Sequence, residues 1–175
     1  MNKNNFLIDT NILIHNPNSL FDFSPGNLYI TLTVIEELDK LKRLGGIKGR
    51  SSRIAIRQID ALIQQSDQDI GKGIPLGNDG LLFIISEEHY QSSDRNDTKI
   101  IKTAAYLNRS LDNLVFVSKD LAARIKASTY GLKTQDYVRE SSSDFSAATI
   151  QHIESSLDNA LNNDQISDEY PLIHN

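Results

Sequence analysis

The chain contains no cysteine, which excludes a disulfide framework and a thiolate-bound zinc site. It has no apolar run near the roughly 20 residues that a membrane-spanning helix needs. Its first residues, Met1 to Asn5, pass directly into a strand-like segment without the apolar core of a signal peptide, so the expectation is a cytoplasmic protein with no membrane partner. Basic residues are missing from one end: Glu140 to Asn175 holds seven acids and neither Lys nor Arg. All 18 bases and 16 of the 23 acids therefore lie in residues 1–139, which are close to neutral, and the net charge of −5 says little about partners. Acids are missing from another stretch. Lys40 to Arg57 carries seven bases (Lys40, Lys42, Arg43, Lys48, Arg50, Arg53 and Arg57) and no carboxylate.

With 175 residues, 39% of them apolar and 23% charged, the chain suffices for one ordinary domain with a real core. Phe6-Leu7-Ile8 is a short apolar run ending in the polar cluster Asp9-Thr10-Asn11, as a buried parallel strand ends. Asn16-Pro17-Asn18 is a turn signal. A second strand is read at Leu28 to Thr31, followed by a helix from Val34 to Leu44. A further helix runs from Arg53 to Ile63, with Gly45, Gly46 and Gly49 breaking the two apart. The five glycines and prolines between residues 66 and 80 predict a surface loop. Leu81 to Ile85 reads as a strand, Asp97 to Asn108 as a helix, and Leu114 to Val117 as a strand ending in Ser118-Lys119-Asp120. Residues 121–129 read as a helix with Gly131 as its C-cap, and a last short strand falls near Lys133 to Val138. Strands alternating with helices predict a three-layer α/β/α sandwich with a mostly parallel central sheet, over residues 1–140. For 141–175 the expectation is one amphipathic helix with Ile150, Ile153, Leu157 and Leu161 on a thin stripe, then an unpatterned acidic tail.

Ligands in such sheets sit beyond the carboxyl ends of the strands, where Asp9 and Asp120 both stand. Asp97 opens a helix, a position the helix dipole favours for a carboxylate. Of the adjacent Glu36 and Glu37, helical geometry puts Glu37 beside the apolar stripe Val34, Ile35, Leu38 and Leu41, and Glu36 on the opposite side. Four carboxylates are a donor set for Mg2+ or Mn2+, one ion or two, because hard cations take oxygen ligands. Burying four such acids together without a cation is costly. Each acid also has a structural reading: an N-cap or Asx turn for Asp9 and Asp120, a first-turn acid for Asp97, a solvated edge for Glu37. Asn11 and Ser118 are expected to hold Asp9 and the crevice backbone by hydrogen bonds, with helix capping as the alternative. His15, beside a turn, reads as structural. The basic run, and within it Lys48, Arg50 and Arg53, is expected to bind phosphates.

Four blocks then resemble a known family. These are F-L-I-D-T-N-I-L-I-H-N-P-N-S-L, V-I-E-E-L-D-K-L-K, R-N-D-T-K-I-I-K-T-A and V-F-V-S-K-D-L-A-A-R-I-K-A. In this order they are similar to the PIN-domain nucleases, in particular the PIN domain at the N-terminus of PhoH-like proteins, over roughly residues 5–138. The resemblance implies a Rossmann-like fold and metal-dependent cleavage of single-stranded RNA. It places the family acids on Asp9, Glu37, Asp97 and Asp120 and the family serine or threonine on Ser118. In PhoH-like proteins an ATPase domain follows, so the acidic tail is expected to begin a linker. The chain itself holds no G-x-x-x-x-G-K-[ST], so no ATP site is assigned to it. The sequence leaves a homo-oligomer open. One rival reading is a weakly cleaving RNA-binding module serving the ATPase. Another, ranked last, is an aspartyl-phosphate phosphatase with Asp9 as nucleophile, which wants an acid where Asn11 stands.

Overall fold

The computed structural model describes residues 3–23, 25–66, 70–77, 79–86, 93–111 and 113–138. The chain divides into two units, Met1–Val138 and Arg139–Asn175. The expected helix and acidic tail of residues 141–175 lie outside the described residues.

Six strands form one sheet: β1 (Asn5–Ile8), β2 (Asn27–Thr31), β3 (Ile74–Pro75), β4 (Leu81–Ile85), β5 (Leu114–Val117) and β6 (Lys133–Gln135), in the order β3-β4-β2-β1-β5-β6. All neighbours are parallel except the edge strand β3, which runs antiparallel to β4. The central strands are short runs of Leu, Ile, Val and Phe because both of their faces are covered. Leu7, Ile8, Leu28, Ile30, Leu82 and Val117 are wholly buried and Phe116 almost so. Burying each such side chain contributes roughly 1.5–3 kcal/mol.

The helices are α1 (Thr10–His15), α2 (Leu32–Leu41), α3 (Gly46–Gln65), α4 (Asn96–Leu107) and α5 (Leu121–Thr129). Right-handed crossovers put α1, α2 and α3 on one face and α4 and α5 on the other, and the members of each group pack on one another. The result is the expected α/β/α sandwich. From β1 the chain steps outward through β2 to β4, then returns to the far side of β1 with β5 and β6. That reversal opens a crevice between the carboxyl ends of β1 and β5.

Several local expectations change. Helix α3 begins seven residues before Arg53, and Gly49 lies inside it rather than breaking it. A Cβ at Gly49 would stand 1.8 Å from the Leu44 carbonyl oxygen, so the glycine serves the turn that lies against the helix. The real break is residues 42–45, after α2 ends at Leu41 instead of Leu44. The D-T-N cluster opens a helix of its own, α1, with Asp9 as its N-cap. The segment read as loop 66–80 contains β3, in which wholly buried Ile74 pairs with Leu82; its proline sits at the sheet edge, where no ladder donor is required. The last strand is shorter than expected, yet Tyr137 beyond it is buried, its hydroxyl accepting from Asn16 Nδ2 at 2.6 Å and donating to Asp22. Gly131, at φ +78°, closes α5 as a Schellman cap: its N–H donates to Ser128 O at 3.0 Å and that of buried Leu132 to Ala127 O at 3.3 Å.

Candidate active site

The crevice follows from register. Ile8 pairs with Val117 across β1 and β5, and the Asp9 N–H donates to Val117 O at 3.0 Å. Asp9 and Ser118 therefore leave the sheet side by side. Ser118, wholly buried, donates its hydroxyl to Asp9 Oδ2 at 2.9 Å and accepts from the Asp120 amide at 3.1 Å. Asn11 Nδ2 donates both to Asp9 Oδ2 at 2.7 Å and to Ser118 Oγ at 2.9 Å, while its side-chain carbonyl accepts from the Lys119 amide at 3.1 Å. The other Asp9 oxygen accepts from the Thr10 amide at 2.7 Å. The structural and functional readings of Asn11, Ser118 and Asp9 thus coexist: these side chains cap the backbone and at the same time immobilise one carboxylate.

Glu37 is half-buried and Glu36 exposed, as their helical angles require. Glu37 Oε2 accepts from the Thr10 hydroxyl and Oε1 from Asn96 Nδ2 at 2.8 Å, so α1 and the start of α4 hold it from two sides. Asp120 is the N-cap of α5, its Oδ1 accepting from the Ala122 amide at 2.8 Å. Burial pushes the Asp9 pKa up to about 6. The Ser118 and Thr10 hydrogen bonds oppose that shift, and the charges of Glu37 and Asp120 add to it. Asp9, Glu37 and Asp120 therefore share one field.

Asp97 sits differently. In the first turn of α4, it accepts from Lys126 Nζ of α5 at 2.9 Å and lies 3.8 Å from Arg95 Nε. Partial burial pulls its pKa up, but Lys126, the Thr98 amide and Arg95 outweigh this, and the carboxyl is held below the usual range. Its neighbour Asn96, by bonding Glu37, ties this turn to the other acids. Among the described residues, no three acids or histidines stand close enough to form a ready-made cation cage. The donors are hard oxygens, and Asp9 lies half-buried near two further negative charges. This set fits Mg2+ or Mn2+, which take one or two carboxylates and complete their shell with water and substrate phosphate.

The remaining sequence candidates are spread out. His15 is exposed and meets the Tyr137 ring edge-on at 6.1 Å. Lys48 and Arg50 are exposed on the first turns of α3. Arg53 donates from Nη1 to the carbonyls of Lys42 at 2.7 Å and Leu44 at 3.4 Å, so its guanidinium braces the α2–α3 turn. Sequence reasoning passed over Thr10, Asn96 and Lys126. Thr10 and Asn96 each adjoin a singled-out acid, and that adjacency was the available signal. No local pattern announces that Lys126 reaches across to α4.

The parallel sheet, its reversal beside β1 and the acids gathered there define a Rossmann-like α/β/α domain. The PIN domain family matches residues 6–138. The chain belongs to that family, whose fold is a nuclease fold. It is 30% identical over 150 residues to Protein PhoH2 of Bacillus subtilis (strain 168), an alignment covering 77% of this chain and 33% of that protein. To Protein PhoH2 of Mycolicibacterium smegmatis it is 28% identical over 140 residues, covering 75% and 32%. The chain thus spans about a third of the length of these curated relatives. Among solved structures, a domain of a functionally unknown protein from Methanocaldococcus jannaschii has a TM-score of 0.54 at 14% identity, covering 81% of this chain and 96% of that one. That likeness is one of fold alone. No described helix is long and apolar enough to cross a membrane.

Proposed function

We propose that this chain is a metal-dependent endoribonuclease domain that hydrolyses single-stranded RNA in the cytoplasm, as part of a longer PhoH-like protein whose remaining length includes an ATPase domain. The observation that carries the reading is the immobilised Asp9, set by the β1–β5 register at the switch point and sharing its field with Glu37 and Asp120. Asp9, Glu37, Asp97 and Asp120 would hold the cation. One or two Mg2+ or Mn2+ ions held there would supply water activation and charge neutralisation at the phosphate.

The chain's own residues set the geometry. Ser118 and Asn11 fix one Asp9 oxygen, Thr10 and Asn96 fix both Glu37 oxygens, and the start of α5 fixes Asp120. Lys126 positions Asp97 by donating to its Oδ2 at 2.9 Å. Lys48 and Arg50 are two of the exposed bases of the 40–57 run and are offered to substrate phosphates; Arg53 contributes chiefly by holding the turn between them and α2. Products carry 5′-phosphate and 3′-hydroxyl ends. Asn11, an amide, offers no acid for the leaving group of a phosphatase, which supports hydrolysis of RNA over that chemistry.

The test is manganese-dependent cleavage of a single-stranded RNA by parent and variants. Asp9→Asn and Glu37→Gln abolish most cleavage without unfolding the protein, and Glu36→Gln cleaves like the parent. Full activity in chelator would overturn the metal mechanism. An essential Glu36 with a silent Glu37 would overturn the assignment of the site.

A further inference from the structure

A second concave surface lies outside the acid crevice. An open cavity of about 270 Å3 is lined by Lys102, Ala105 and Tyr106 of α4, by Arg109 just beyond it, and by Tyr130 at the end of α5. Both tyrosines keep more than two-fifths of their surface exposed, at 46% and 43%. The Arg109 guanidinium stands 6.0 Å from the Tyr106 ring centroid, within cation–π range. Exposed aromatic faces beside cations make a poor solvated surface and a good platform for planar anionic ligands.

The cavity lies on the helix pair α4–α5, whose other end carries Asp97 and the Lys126 that binds it. On α4, Thr98, Lys102 and Ala105 recur at helical spacing on one stripe, and Arg109 follows just beyond the helix. On α5, Lys126 and Tyr130 are one turn apart and face that stripe: Lys126 meets Thr98 and Asp97, and Tyr130 lines the cavity with Lys102. Asp97 and Tyr106 stand about 13 Å apart along α4 at 1.5 Å per residue. Two of the cations on this helix pair are already balanced, Lys102 by Asp94 at 2.7 Å and Lys126 by Asp97. Arg109 adds one further positive charge, enough to hold a single phosphate but not for a strong electrostatic trap. Stacking, rather than charge, must supply most of the binding.

We propose that this cavity is a base-stacking exit or entry track for single-stranded RNA, with Tyr106 and Tyr130 receiving the faces of one or two bases and Arg109 a phosphate between them. The assignment rests on the ribonuclease reading and extends it. It places sequence-tolerant binding two or more nucleotides from the scissile bond, on the opposite helical layer from the basic run of α3.

The experiment is a binding scan in chelator with a labelled oligouridylate of a dozen nucleotides and its relatives, each lacking one base. For the parent, removal of the base at one or two adjacent positions weakens binding about tenfold, the scale of aromatic stacking. In Tyr106→Ala/Tyr130→Ala the intact RNA binds about tenfold more weakly, and the position-dependent losses disappear. Arg109→Ala lowers the salt slope by about 0.7, the value for one phosphate on a single strand. Both tyrosines are exposed, and an unchanged melting temperature certifies the double variant. A flat scan in the parent, or losses that persist in the double variant, overturns the track while Asp9-dependent cleavage still stands. Absence of both RNA binding and cleavage overturns the ribonuclease reading and the track together.

Discussion

The acid crevice and the basic run of α2–α3 both stand out by charge, yet the structure treats them in opposite ways. In the crevice every oxygen of Asp9 and Glu37 has a named donor, and those donors come from three separate segments of the chain. In the basic run Lys48, Arg50 and Arg57 are exposed, while Arg53 bonds to backbone carbonyls and Lys42 pairs with Asp39. A buried carboxylate must find partners, because an unsatisfied one is expensive. An exposed cation on a long flexible stem is satisfied by water anywhere. Position is consequently tightly constrained in the first region and loosely in the second, and substitutions at the two should differ in kind.

The largest expected effect is electrostatic. The Asp9 pKa, raised from 3.8 to about 6 in the folded protein, disfavours the ionised form. Stability associated with this group is therefore fully present below its unfolded value and is lost as pH rises through about 6. In the metal-free protein at neutral pH this amounts to at most about 3 kcal/mol. Asp9→Asn should raise the metal-free melting temperature above pH 7 by several degrees, with the gain fading toward pH 4. Added Mn2+ should raise the melting temperature of the parent and leave this variant little changed. Thermal scans across pH check both; a gain that grows on acidification contradicts the sign.

Next comes Ser118→Ala, which removes a donor to Asp9 and an acceptor for the Asp120 amide together. Cleavage should fall roughly 10–100-fold, the range for residues that orient metal ligands, and stability by about 1–3 kcal/mol. An unchanged turnover would show that Asn11 alone suffices. Gly49→Ala inverts an ordinary rule. A helical glycine replaced by alanine normally gains up to about 1 kcal/mol, but here the new methyl meets the Leu44 carbonyl, and overpacking of this sort costs about 1–3 kcal/mol. Denaturant unfolding decides, and a net gain would mean that the α2–α3 turn yields freely.

The smallest effect separates two kinds of neighbouring base. Arg53→Ala should cost about 1 kcal/mol, the worth of the hydrogen bonds it makes to the turn. Lys48→Ala and Arg50→Ala should leave stability alone and flatten the salt dependence of RNA binding, by a slope of about 0.7 for each phosphate no longer neutralised. Equal behaviour of all three would erase the difference between a bracing and a substrate-facing charge.

Much of this was readable in order along the chain. Apolar runs closed by polar clusters marked β1 and β5, and their alternation with helices implied the parallel sheet, because covered strands require continuous apolar sequence. Helical angle alone separated Glu37 from Glu36, since burial repeats with the helix and adjacent residues stand about 100° apart. Gly49 misled because a glycine needed for close approach looks, in one dimension, like a glycine that ends a helix. What only the tertiary structure decided are relations between segments distant in sequence: that β5 lies against β1 so that Ser118 reaches Asp9, that Asn96 returns to Glu37, that Lys126 of α5 neutralises Asp97 of α4, and that Arg53 folds back on its own turn. Local periodicity reports which face of an element is buried; which element covers that face is set by strand order and crossover hand, and no residue encodes those alone.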